Sequence, residues 1–133
     1  MQTVDYTYGG KTLHLYFNGS AMFALEALND EAQDGVPDIL ELAHQDTPQG
    51  HGALCRIAAI LAREGELCRR YLQNTPQRIP EAEELLLLLT PMQMVLLRAA
   101  VYRAVRNGFG KGSQEDSGDI DTGLAELEKK TRL

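Results

Sequence analysis

His51 and Cys55 stand four positions apart, a spacing that on a helix brings two side chains to one face, as metal ligands can be. Cys68 is the only further thiol. A structural zinc site takes four ligands and clusters them in close pairs such as CxxC, so core cysteines and a surface histidine are the better reading. Cys55 can also be combined with His14, His44 or His51 as a thiol nucleophile and its base, but no local signature surrounds it. Ser20 lies in Asn-Gly-Ser-Ala, which lacks the second glycine of the GxSxG elbow and reads as a helix cap. Gly108, Gly110 and Gly112 occur as GFGKG, which is neither GxxxxGK[ST] nor a GxGxxG set between strand and helix. Glu81, Glu83 and Glu84 sit at a helix start, where the macrodipole favours carboxylates. No enzyme constellation emerges. The expectation is a protein without catalytic residues, cofactor or metal.

Bulk composition narrows the remaining classes. A net charge of −6 and a pI near 5.0 argue against a nucleic-acid partner, which needs clustered Lys and Arg. The basic residues are scattered, Arg69-Arg70 being the densest pair. The span from Leu85 to Val105 has the length of a membrane helix, but Pro91, Gln93, Arg98 and Arg103 interrupt it. Each central arginine costs on the order of 3 kcal/mol on insertion, so no membrane is expected. The N-terminal residues show a strand pattern rather than a basic region followed by an apolar run, and the expected location is the cytosol. Cys55 and Cys68 fall 13 positions apart on one predicted helix, about 20 Å, too far for a disulfide.

The elements that must position these residues are mainly helical. Thr3 to Phe17 is the clearest strand signal, with Gly9-Gly10 as a two-residue turn. That turn sets Tyr8 opposite Lys11, Tyr6 opposite Leu13 and Val4 opposite Leu15. Asn18 or Ser20 caps a helix that ends near Asn29, and Pro37 starts a short one containing Ile39, Leu40 and Leu42. Thr47-Pro48 opens either a turn or the next helix, which runs from about Gly52 to Leu72. Its stripe at Leu54, Ala58, Leu61, Gly65, Cys68 and Leu72 alternates four and three. Gly65 implies close approach by a neighbouring helix or a local kink.

From Leu85 to Leu97 the chain carries no charge, and Thr90-Pro91-Met92-Gln93 reads as a capped helix start inside that run. A leucine-rich helix therefore ends near Leu89, and a second runs from Pro91 to about Asn107. Met92, Val95, Ala99 and Tyr102 line one stripe of it, and Met94, Leu97 and Val101 another. A helix apolar on most sides is expected to be buried on most sides, at the centre of the domain. Gly108 is read as its C-cap. The fold expectation is a mainly α domain of about five helices with an N-terminal two-stranded hairpin over residues 1–108. Residues 109–133 read as a flexible acidic tail with room for a short helix. Ile120, Leu124 and Leu127 form an apolar stripe there at helical spacing, a candidate partner-binding surface of the helix-in-groove kind. Self-association is compatible with the same features.

The stretches YTYGGKTLHLYFNGSAMFALEAL (Tyr6 to Leu28) and VPDILELA (Val36 to Ala43), followed by the helices from Gly52 to Asn107, resemble the tail assembly chaperones of long-tailed bacteriophages and prophages. The resemblance rests on element order and pattern over most of the chain. It implies a non-enzymatic protein of the host cytosol that binds the tape measure protein and helps recruit tail tube subunits during tail morphogenesis. It also implies that Phe109 to Leu133 connects to an extension made by ribosomal frameshifting, with which Lys129-Lys130 is compatible. The competing readings are another phage structural adaptor, such as a head–tail connector or completion protein, and a small helical regulatory protein.

Overall fold

Gly9 and Gly10 take φ of 51° and 77°, and two consecutive positive values are what a tight primed hairpin turn requires. They join β1 (Val4–Tyr8) to β2 (Lys11–Leu15) in a two-stranded antiparallel sheet. The register pairs Val4 with Leu15, Tyr6 with Leu13 and Tyr8 with Lys11, as the alternation predicts. Val4, Tyr6, Tyr8, Leu13 and Leu15 are buried. The opposite face is laced across the strands by Thr7–Thr12 at 3.0 Å and by His14 Nδ1 and Asp5 Oδ1 at 2.9 Å. A hairpin alone is marginal in water, and this one is supported by packing its apolar face on helices. The computed structural model describes residues 3–31, 38–72 and 78–110.

Five helices follow among the described residues: α1 (Gly19–Glu31), α2 (Ile39–Leu42), α3 (Pro48–Tyr71), α4 (Ala82–Leu88) and α5 (Pro91–Gly108). Asn18, rather than Ser20, caps α1, its Oδ1 accepting from the Ala21 N–H at 2.8 Å. Asn29 near the end of α1 reaches α2, donating to Asp38 Oδ2 and accepting from the Ile39 N–H, both at 2.8 Å. Asp38 is the α2 cap, and Pro37 lies outside the described residues. Thr47 resolves the choice left open in the sequence. Its hydroxyl accepts from the Gly50 N–H at 2.9 Å and Pro48 takes the first turn, so α3 begins four residues before Gly52.

The domain is centred on α3, not on α5. α3 packs against β2, α1, α2, α4 and α5. Leu54, Ile57, Ala58, Leu61 and Ala62 are buried along it, while Cys68 is half-buried and Leu72 exposed, so the predicted seam ends one turn early. Gly65 does mark a close approach, but by a strand end rather than a helix. A Cβ there would stand 1.8 Å from the backbone O of His14, and the Tyr16 N–H next to it donates to Leu61 O at 3.1 Å. β2 thus runs directly onto the α3 backbone.

α5 carries the predicted capping box. The Thr90 hydroxyl accepts from the Gln93 N–H at 3.2 Å, and Gln93 Oε1 accepts from the Thr90 N–H at 2.8 Å. Only one of its two apolar stripes is buried, however: Met94, Leu97, Ala100, Val101, Ala104 and Val105. Met92, Val95 and Ala99 are exposed, and Tyr102 sits at the boundary. Gly108 is the last helical residue, and it is required because Phe17 O would lie 2.4 Å from any Cβ. The left-handed residue that ends the helix is Gly110, φ 78°, two positions later than expected.

Candidate partner-binding surface

The residues with chemical potential are separated by the fold and individually engaged. Cys55 is fully buried on α3, its thiol 3.8 Å from Met94 Sδ, and desolvation pushes it up to about 11. A nucleophilic cysteine needs the opposite, a stabilised thiolate. His14 pairs with Asp5 on the hairpin, and His44 stacks on Tyr102 with ring centroids 4.3 Å apart. His51 lies 3.5 Å from Asp46, one turn before Cys55 on α3. Among the described residues no three His, Cys, Asp or Glu side chains gather where they could hold a metal ion.

Four side-chain hydrogen bonds tie α5 to the rest of the domain. The Tyr6 hydroxyl donates to Gln93 O at 2.8 Å, and burial raises its phenol. Arg98 donates from Nε to Ala43 O and from Nη2 to Asp46 Oδ1, both at 2.9 Å. The Arg98 and His51 hydrogen bonds hold the Asp46 carboxyl below its ordinary value of 3.8. Tyr102 donates to Leu40 O, and burial raises its hydroxyl. Arg98 and Tyr102 therefore clamp α5 to the short α2 and the loop behind it, supplying donors for carbonyls that a four-residue helix leaves open.

A recess of about 210 Å³ lies between the hairpin end and the approach to α4, lined by Tyr8, Lys11, Thr12, Leu13, Arg78, Pro80 and Glu84. Its volume falls below the roughly 300 Å³ at which small-molecule sites begin. Arg78 and Glu84 already pair across it at 2.5 Å. Burial and then the Glu84 charge raise the Tyr8 phenol.

What the surface does offer is apolar. On α5, Met92 is 68% exposed, Leu96 54% and Val95 49%, and on α4 Leu87 is 81% exposed beside Leu86 and Leu88. Met92, Val95, Leu96 and Ala99 follow the i, i+3, i+4, i+7 rule and share one helix face. The α4 leucines stand only four to six residues before Met92, across the capped corner at Thr90. Single exposed apolar residues are ordinary, and Phe23 and Tyr71 elsewhere need no account. Met92, Val95 and Leu96 are different, because they line one helix face together, and a contiguous exposed apolar face marks interaction surfaces.

Sequence reasoning placed this stripe inside. The flanking charges do not distinguish the two faces: Arg103 stands four residues after Ala99 on the exposed stripe, and Arg98 stands four residues after Met94 on the buried one. The candidate binding residues Ile120, Leu124 and Leu127 lie outside the described residues. No described helix is long and apolar enough to cross a membrane. Comparison with family models, curated proteins and solved structures found no match.

Proposed function

We propose that this chain is a non-enzymatic tail assembly chaperone of a long-tailed phage or prophage, acting in the host cytosol. Its partner is the tape measure protein, with tail tube subunits recruited in turn. The observation that carries the reading is the exposed apolar stripe of Met92, Val95 and Leu96 on α5. A tape measure protein is long and rich in amphipathic helical segments, and an unpartnered helix face with apolar residues at i, i+3, i+4 and i+7 suits such segments. Repeated weak engagement along one long partner keeps its segments from associating with one another. The order of hairpin, capped helix and helical body, on which the resemblance rests, supports the same reading.

The test is co-expression of the full chain with the tape measure protein of a long-tailed phage. Wild-type protein keeps the long partner in the soluble fraction and is recovered with it, and an L87D/V95D variant loses both effects while remaining folded. A long partner equally insoluble with and without this chain removes the reading. Recovery of portal or capsid components instead transfers the protein to the connector class.

A further inference from the structure

We propose that the outer edge of β1 is a strand-addition site. Its occupant is an extended segment of a partner protein, apolar at every second position, whose apolar side chains rest against Leu96 on α5. The register shows which backbone groups are open. In a hairpin closed by two residues, Tyr8 and Lys11 exchange ladder hydrogen bonds, so Tyr6–Leu13 and Val4–Leu15 do as well. Thr7–Thr12 and Asp5–His14 are the other kind of pair, in which side chains come closer, and they meet across the strands at 3.0 and 2.9 Å. The backbone N–H and C=O of these four residues point out of the hairpin.

The two edges differ. On β2, the His14 carbonyl turns into the α3 backbone at Gly65, and the Tyr16 N–H donates to Leu61 O just beyond. On β1, the outward N–H and C=O of Asp5 and Thr7 have no hydrogen-bond partner among the described residues, and both residues are exposed. Such an edge is a template for another strand. It is short and carries a carboxylate, which limits unselective pairing. The same carboxylate sets a preference, since a basic or hydroxyl side chain is the favoured cross-strand neighbour of Asp5.

α5 supplies the floor beside this edge. Met94 faces α3, its Sδ 3.8 Å from Cys55 Sγ, and Gln93 is on the hairpin side, its carbonyl accepting from the Tyr6 hydroxyl. With 3.6 residues per turn, Leu96 lies about 60° further round from Gln93, on the side away from Met94 and α3. The hairpin follows the same progression, with β2 packed on α3 and β1 on α5. A strand added about 4.8 Å beyond β1 therefore lies on the Leu96 side. Its inward side chains, level with Val4, Tyr6 and Tyr8, cover Leu96, which is 54% exposed. The hairpin of a second copy is no substitute, because the apolar side chains of both its strands are already buried in their own domain. One alternating segment thus satisfies an open edge and an uncovered leucine together. The site rests on the hairpin edge and not on the identity of the helical partner assigned above to α5, so failure of either reading leaves the other standing.

Amide hydrogen exchange read by NMR on the full chain tests it, with a ten-residue synthetic peptide that alternates Val with Thr and Lys as the probe. In the free chain the Asp5 and Thr7 amides are expected to exchange rapidly, while the ladder-bonded Tyr6 amide is slow and reports that the hairpin is folded. Millimolar peptide is expected to slow Asp5 and Thr7 several-fold and leave Tyr6 slow. Thr7→Pro removes one outward donor at an edge position where proline is tolerated, and it is expected to abolish the slowing at Asp5. Leu96→Asp leaves the hairpin untouched and is expected to weaken the effect several-fold, so the test stands even where the proline variant fails to fold. Unchanged exchange in the presence of the peptide overturns the proposal, as does an undiminished effect in Leu96→Asp. Slow Asp5 and Thr7 amides in the dilute free chain overturn it too, because the chain then covers its own edge. So does slowing that grows with protein concentration, since the occupant is then a second copy.

Discussion

At the scale of single residues, the fold depends most on contacts where there is no room for an atom more. Gly65 faces the backbone oxygen of His14 at a separation that no side chain tolerates, and neither the strand end nor the helix backbone can give way cheaply. Gly65→Ala is therefore expected to destabilise the protein by about 3 kcal/mol, the upper end for overpacking, read as a lowered urea midpoint. The sequence announced this position as unusual but not its cause, because a mid-helix glycine is compatible with a kink, a helix contact or a strand contact alike. The thiols make a second case. Cys55 is sealed in the core with its thiol raised to about 11, whereas Cys68 is half-buried beside Asn18. Iodoacetamide at neutral pH is expected to modify Cys68 first and Cys55 only on unfolding, which intact-mass analysis of the native and urea-treated protein would show. Rapid native labelling of Cys55 would contradict the packing described here.

At the scale of elements, legibility followed how local the determinants are. The hairpin was readable with its register because the turn glycines and the two-residue alternation specify the same pairing. The start of α5 was readable because its capping box is written in four consecutive residues, and Thr90→Ala is expected to cost about 1 kcal/mol. The buried face of α5 was not readable, since apolar residues occupy both stripes and only tertiary packing selects between them. Nor was the clamp between α5 and α2, because Arg98 and Ala43 are 55 positions apart in the chain. That clamp has a pH signature. Asp46 has a folded-state pKa below its ordinary value, so its contribution is complete above about pH 4 and is lost as pH falls through the depressed value. Asp46→Asn should therefore lower the urea midpoint at pH 7 and converge with wild type once the pH is below the depressed value. The carboxylate is exposed, so the difference at pH 7 is also expected to shrink in high salt.

At the scale of the whole molecule, the distribution of apolar side chains separates what holds the domain together from what it presents. The core is complete without the α4–α5 surface: Leu15, Leu54, Ile57, Leu61, Leu85, Leu97, Val101 and Val105 are fully enclosed around α3. Leu87 and Val95 add little to that enclosure, so placing charge on them has little to break. The double substitution L87D/V95D is expected to leave the unfolding midpoint within about 0.5 kcal/mol per site of wild type, as is usual for exposed positions away from caps and networks. Leu97→Asp, only two residues from Val95 but on the other face, buries an unpaired carboxylate and is expected to prevent folding. Circular dichroism with urea titration distinguishes the two outcomes. The contrast matters for function because the surface variant should still lower retention on a hydrophobic column. A leucine-rich run that contributes to recognition rather than to stability is removable without unfolding the protein. If L87D/V95D unfolds as Leu97→Asp does, the exposed stripe belongs to the core and the assignment of a docking face to α5 fails with it.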